Sequence, residues 1–155
     1  TALDAEMVCE SKRSGLRVVA ARDFFKDIMT TALKDDELLS EVRLPILPPE
    51  AQVGFAEFSR RAGDYGIAIA VTSYRLRNGI MSDMRIAVGA EAKPRRMTEA
   101  ERTLIGRPPS PGIFQSAAHA AASAVDPLDD ESVSADYRRA IVRAMVCRAL
   151  ENPCP

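Results

Sequence analysis

The chain has 155 residues, with 21 Lys+Arg against 22 Asp+Glu and a formal net charge of −1. A chain of this length buries roughly 70% of its unfolded surface, so it needs no metal or disulfide staple to fold. With 46% hydrophobic and 28% charged residues it is neither disordered nor fibrous, its neutrality argues against nucleic acid or acidic lipid as a partner, and no apolar run reaches the roughly 20 residues that span a bilayer.

Cys9, Cys147 and Cys154 lack CxxC spacing and the chain has a single histidine, so no zinc set is expected and a reducing, cytoplasmic compartment is. The chain opens on Thr1 without a basic-then-apolar leader, which reads as a piece of something longer.

The first third predicts β structure. Residues 3–10 half alternate, Lys12 to Gly15 turn the chain, and Leu16 to Ala20 return as the second arm of a hairpin. The pair Phe24-Phe25 reads as core anchors beneath a short turn. Asp35, Asp36 and Glu37 read as a solvated turn before a strand over residues 38–44, which Pro45 ends. Pro45, Pro48 and Pro49 mark a surface connection.

A further strand is expected over residues 53–60, with Val53, Phe55 and Glu57 on one face and Phe58 on the other. After the break at residues 60–64 comes a hairpin signal, Asn78-Gly79, a two-residue loop that tolerates two positive φ values. An uninterrupted ladder from that loop opposes Val71 to Ile86, Ile69 to Val88 and Ser73 to Met84 on a core face. It places Thr72 against Arg85 and Tyr74 against Asp83 on a polar face.

From Met97 onward the pattern is helical. Thr98 with Glu101 three places on predicts a capping box for a short helix closed by Gly106. Phe114, Ala117, Ala118, Ala121, Ala122 and Val125 form the apolar stripe of a second helix, stopped at Asp126-Pro127. Ser134 is the N-cap of a third, whose apolar side carries Ile141, Val142, Met145, Val146, Ala149 and Leu150 and which Asn152-Pro153 ends. Strands followed by helices predict an α+β chain: a small antiparallel β-sheet packed against helices, with a separate β-rich piece before the proline-rich connection.

The residues offer little for catalysis. His119 lies off its helix's apolar stripe and reads as solvated. Arg138, Arg139, Arg143 and Arg148 read as the wet side of the last helix, with at most a modest interface role. The run from Phe58 to Tyr65 is the most informative segment: a strand end running into Gly63-Asp64-Tyr65 gathers an aromatic ring, a carboxylate and two guanidinium groups at a tight loop. That set suits a planar ligand with polar edges. The alternative is local: Tyr65 packs, Asp64 caps the turn, and Arg60 or Arg61 pairs with a nearby carboxylate.

Six motifs in register carry a resemblance that covers essentially the whole chain. They are Asp23-Phe24-Phe25 with Thr30 to Leu33; Asp36 to Pro45; Phe55 to Tyr65; Arg85 to Gly89; Pro94-Arg95-Arg96 with Ala100-Glu101; and Ser134 to Arg139. The sequence resembles the C-terminal half of the FAD-binding (medium) subunit of the molybdenum hydroxylases, the family of carbon monoxide dehydrogenase and xanthine dehydrogenase. The resemblance implies that residues 1–50 are the tail of an α+β FAD-binding subdomain and residues 51–155 the family's C-terminal domain. It places Leu39 near the flavin through backbone contacts, and Arg60, Asp64 and Tyr65 against the isoalloxazine, with Tyr65 over one face. No catalytic residue is implied within the chain.

The family's glycine-rich loops, which wrap the flavin pyrophosphate, have no counterpart among the eight scattered glycines. FAD is therefore implied only together with the N-terminal half of the same subunit. An iron-sulfur subunit carrying 2Fe-2S clusters and a molybdenum subunit carrying the molybdenum cofactor are the implied partners, and electron transfer to an external acceptor the implied activity. Some xanthine dehydrogenase relatives carry a flavin-contacting lysine near the position of Ala56. Its absence points to the carbon monoxide or N-heterocycle branch and away from NAD-linked chemistry. A stand-alone interaction module of the same fold, without flavin, is the other reading.

Overall fold

The computed structural model describes residues 1–127 and 133–154. Two antiparallel sheets organise them. β1 (Glu6–Ser11) and β2 (Gly15–Ala20) form the expected first hairpin, and the one-turn helix α1 (Ala21–Phe24) leads into the short ribbon β3 (Phe25–Asp27) and β4 (Thr30–Thr31). β5 (Leu38–Arg43) returns beside β1, giving a three-stranded sheet in the order β2-β1-β5. One face of it closes on a small core of Ala5, Met7, Cys9, Ala21 and Phe24, with the Phe24 and Phe25 rings edge to face at 5.3 Å.

After the connection at residues 44–50, β6 (Ala51–Phe58), β7 (Ala68–Arg77), β8 (Ile80–Gly89) and β9 (Arg95–Arg96) build the second sheet. α2 (Thr98–Leu104), α3 (Pro111–Ala124) and α4 (Ala135–Glu151) contribute their apolar stripes to its core, and β10 (Pro153–Cys154) adds an edge strand beside β6. This is the expected α+β architecture. The alanine stripe of α3 and the Ile141 to Leu150 side of α4 are buried as their periodicity predicts, and Ser110 and Ser134 cap the two helices through Ile113 N and Tyr137 N. β10 was not expected: Asn152-Pro153 ends the helix but turns the chain into the sheet.

The Asn78-Gly79 hairpin departs from its predicted register. Both turn residues have positive φ, 53° and 77°, and the ladder runs as predicted only from Arg77↔Ile80 to Arg75↔Ser82. There Asp83, at φ 52°, swells out of β8, and its carboxylate pairs with Arg75. Beyond the bulge Thr72 faces Ile86 and Ala70 faces Val88. The extra residue changes the phase of β8, so that Met84, Ile86 and Val88 lie on the face of Ala68, Ala70, Thr72 and Tyr74, while Ile69 and Val71 are on the other side of β7.

Three polar readings are also corrected. Thr98 is inside α2, whose N-cap is Met97 with no side-chain cap bond, and Glu101 does not reach back to it. Instead the buried Glu101 carboxylate accepts from Ile86 N at 2.8 Å and from Arg96 Nε at 2.5 Å. Glu37 is buried rather than solvated, clamped by Arg17. Arg138 is buried on α4, whereas Arg143 and Arg148 are exposed as expected.

Asp4 links the two sheets. Its carboxylate lies 3.2 Å from Arg96 Nη1 and 3.2 Å from Arg85 Nη2. An apolar cleft of 370 Å³ is lined by Ala2, Leu3, Phe25 and Leu44 together with Ile69 and Val71.

Candidate functional site

The loop between β6 and β7 is built by its backbone. Ile67 N donates to Phe58 O at 2.7 Å and closes residues 59–66 into a tight excursion. Inside it, Asp64 N and Ser59 Oγ both donate to Arg61 O at 3.1 Å. Gly63 turns the chain at φ +89°, a conformation that L side chains rarely adopt. A Cβ on Gly66 would lie 2.7 Å from Ile69 Cγ1 and 3.0 Å from Glu57 Oε1, so a larger residue there would have to displace those two side chains.

The outcome at the tip is a tyrosine that packs on nothing: Tyr65 is 100% exposed. Its neighbours Arg60, Asp64, Gly66 and Ile67, with Val133 and Arg138 from across the fold, line a concavity of 240 Å³. Arg138 is 8% exposed and donates from Nη1 to Ile67 O at 3.0 Å. The local alternative for Tyr65 is therefore not what the fold adopts. A fully exposed ring beside guanidinium and carboxylate groups can stack on a planar ligand and bond to its edges.

Leu39 stands elsewhere. On β5 it faces Cys9 of β1 and lines a 630 Å³ cleft with Leu38, Ser40, Asp36 and residues 10–13. The approach to β5 is fixed by Glu37, which takes Arg17 Nε at 3.0 Å, Arg17 Nη2 at 2.5 Å and Lys34 N at 2.9 Å. The Arg17 hydrogen bond, followed by the Lys34 amide, lowers the Glu37 carboxyl to about 2. Asp36 accepts from Ser11 Oγ at 2.7 Å and holds the hairpin turn against the same cleft.

Arg60, Asp64 and Tyr65 are thus brought together, and Leu39 lies in a separate concavity. Both sites offer polar atoms around apolar surface and neither gathers glycine amides into a phosphate cradle: the positive-φ glycines, Gly15, Gly63, Gly79 and Gly106, sit singly in turns. Sequence reasoning missed Arg138 and Glu101. The signal was present, since Arg138 is in phase with Ile141, Val142 and Met145, and Glu101 with Met97, Ala100 and Leu104.

Comparison with known proteins gives a consistent set of relatives. The profile of the CO dehydrogenase flavoprotein C-terminal domain matches residues 54–152. The glyceraldehyde dehydrogenase medium chain of Sulfolobus acidocaldarius is 32% identical over 98% of this chain and 54% of its own length. The nicotine 6-hydroxylase medium subunit of Paenarthrobacter nicotinovorans is 35% identical over 96% of this chain and 52% of its own. Among solved structures, the carbon monoxide dehydrogenase of Hydrogenophaga pseudoflava superposes with a TM-score of 0.91 at 31% identity, covering 97% of this chain and 52% of that one. Quinoline 2-oxidoreductase of Pseudomonas putida 86 superposes at 0.89 and 30% identity, with the same coverage. The chain spans about half the length of the curated relatives it matches.

Proposed function

Because the chain belongs to the CO dehydrogenase flavoprotein C-terminal domain family, we propose that it is part of the FAD-binding medium subunit of a molybdenum hydroxylase complex in the cytoplasm. In this reading residues 1–50 are the tail of the FAD-binding subdomain and residues 51–155 the C-terminal domain. The partners are the N-terminal half of the same subunit, an iron-sulfur subunit with 2Fe-2S clusters and a molybdenum subunit with the molybdenum cofactor. The role is to pass electrons from the clusters through FAD to an external acceptor. Among the described residues no helix is long and apolar enough to cross a membrane.

The observation that carries the reading is the fully exposed ring of Tyr65, held out on a loop closed at both ends. The residues present fit the ring end of a flavin and not its diphosphate, for the reason already given: a stacking face and charged edges are here, a glycine cradle is not. Bound there, the flavin would collect electrons delivered one at a time by the clusters and pass them to the acceptor. This chain's residues would orient it. Tyr65 supplies a stacking face, worth about 0.5–1.5 kcal/mol beyond simple burial. Arg60 offers planar donors to carbonyl edges, Asp64 orders the loop, and Leu39, in its own cleft beside β5, would meet another part of the flavin through its backbone.

The test is Tyr65→Ala in the complete flavin-loaded subunit. The expected result is weaker flavin retention, changed flavin fluorescence and altered access of the acceptor. Unchanged affinity, fluorescence and acceptor rate would overturn the assignment of Tyr65.

A further inference from the structure

We propose that Arg138, reaching from the first turn of α4 to the carbonyl of Ile67, is the positioning residue that fixes the direction of Tyr65. The inference rests on the flavin reading for what Tyr65 meets, but not for the clamp itself.

Arg138 stands where packing alone would not put a cation. It is in phase with Ile141, Val142 and Met145, so an aliphatic side chain would serve the core. It lies in the first helical turn, at the positive end of the α4 dipole, which disfavours a buried positive charge. The residue is nevertheless only 8% exposed, and taking much of a guanidinium's surroundings out of water costs free energy unless it gains well-placed acceptors. One acceptor is the loop itself: Arg138 Nη1 bonds Ile67 O at 3.0 Å.

Ile67 is the residue on which the loop turns into β7. Its N–H is held by Phe58 O at 2.7 Å and its carbonyl by Arg138, so both of its backbone groups are fixed by different elements. Gly66, the only residue between Ile67 and Tyr65, lies against the side chains of Glu57 and Ile69, which a Cβ there would have to displace. The post is thus two residues from the ring it aims. Without the guanidinium, the Ile67 carbonyl loses its tie to α4, and the loop is free to swing about the Phe58 bond. Tyr65 can then fold back onto apolar surface.

The test is amide hydrogen exchange of the full 155-residue chain carrying Arg138→Met. Exchange at residues 62–67 should rise about tenfold or more, and trypsin should cleave faster after Arg60 and Arg61, while β8 and the second half of α4 keep their protection. If the Met variant does not fold, Arg138→Gln decides, because it stays polar but is too short to reach the carbonyl. Arg138→Lys, which keeps a charged donor, should restore part of the protection. Unchanged exchange at 62–67, or acceleration spread evenly through α4 and β7, would overturn the clamp. The flavin reading is judged separately: in the flavin-loaded subunit the Met variant should alter flavin fluorescence in the same direction as Tyr65→Ala. A silent Tyr65→Ala beside accelerated loop exchange would sink the flavin assignment and uphold the clamp.

Discussion

Replacing Gly54 with alanine places a methyl group where α4 already lies. A Cβ at this position would run into the carbonyl oxygen of Ala149 and come within 2.7 Å of its carbonyl carbon and 2.6 Å of Thr72 Oγ1. The obstacle is helix backbone, so no rotamer change relieves it, and α4 must lift from β6. Overpacking of this kind costs about 1–3 kcal/mol. Lifting the helix also stretches the buried bond from Thr72 Oγ1 to Ala149 O, 3.1 Å long, worth about 1 kcal/mol. A total near 3 kcal/mol corresponds to a fall in Tm of about 6–12 °C for a domain of this size. The assay is urea unfolding followed by far-UV circular dichroism, with the midpoint falling and the slope unchanged. Gly112→Ala is the control: its Cβ meets nothing within 4 Å, so it should be neutral or stabilise by up to about 1 kcal/mol. If Gly54→Ala stays within about 0.5 kcal/mol of the parent, the close approach of α4 to β6 is wrong.

Glu37 sets a pH dependence with a definite sign. Its carboxyl is lowered to about 2 in the folded chain from an ordinary value of 4.5, so the stability it contributes is present above about pH 4.5 and is lost as pH falls toward 2. Unfolding midpoints measured across that window should drop for the parent and be flatter for Glu37→Gln; parallel curves would refute the clamp with Arg17. Glu101 is a buried carboxylate shared by Ile86 N and Arg96, and Glu101→Ala leaves both without it, at a cost of about 3 kcal/mol. Loss of less than about 1 kcal/mol in denaturant unfolding would show that the group is not buried as described.

Much of the fold was legible because one signal sufficed for each element. Asn78-Gly79 specified a two-residue hairpin loop, and the stripe from Phe114 through Ala117 to Ala122 specified the buried side of a helix. Where the reading failed, a second signal competed. The hairpin register assumed an unbroken ladder, but Asp83 is a short polar residue able to take a positive φ, and Arg75 waits across the strand to hold it out. That one residue shifts the phase of β8, so that Met84, Ile86 and Val88 share the core face with Ala70 and Thr72 rather than with Ile69 and Val71. The shift is compatible with packing: small residues at Ala68 and Ala70 and the hydroxyl of Thr72 accept helices at close range, where isoleucine and valine would hold them off.

The candidate site was legible in a different way. Arg60, Asp64 and Tyr65 stand together in sequence, so their grouping needs only a loop, and the structure supplies it. What the local pattern could not say is whether Tyr65 would pack or project, because that depends on Ile67 being held by an element 71 residues away. The missed residues share a property. Arg138 and Glu101 each put a charge on an otherwise apolar stripe, and in both cases the side chain bonds a backbone group of another element, Ile67 O or Ile86 N. A charge in the wrong phase of a helix is costly unless something distant repays its desolvation. Such violations are therefore where sequence alone points beyond its own neighbourhood, and here one of the two leads to the loop that carries Tyr65.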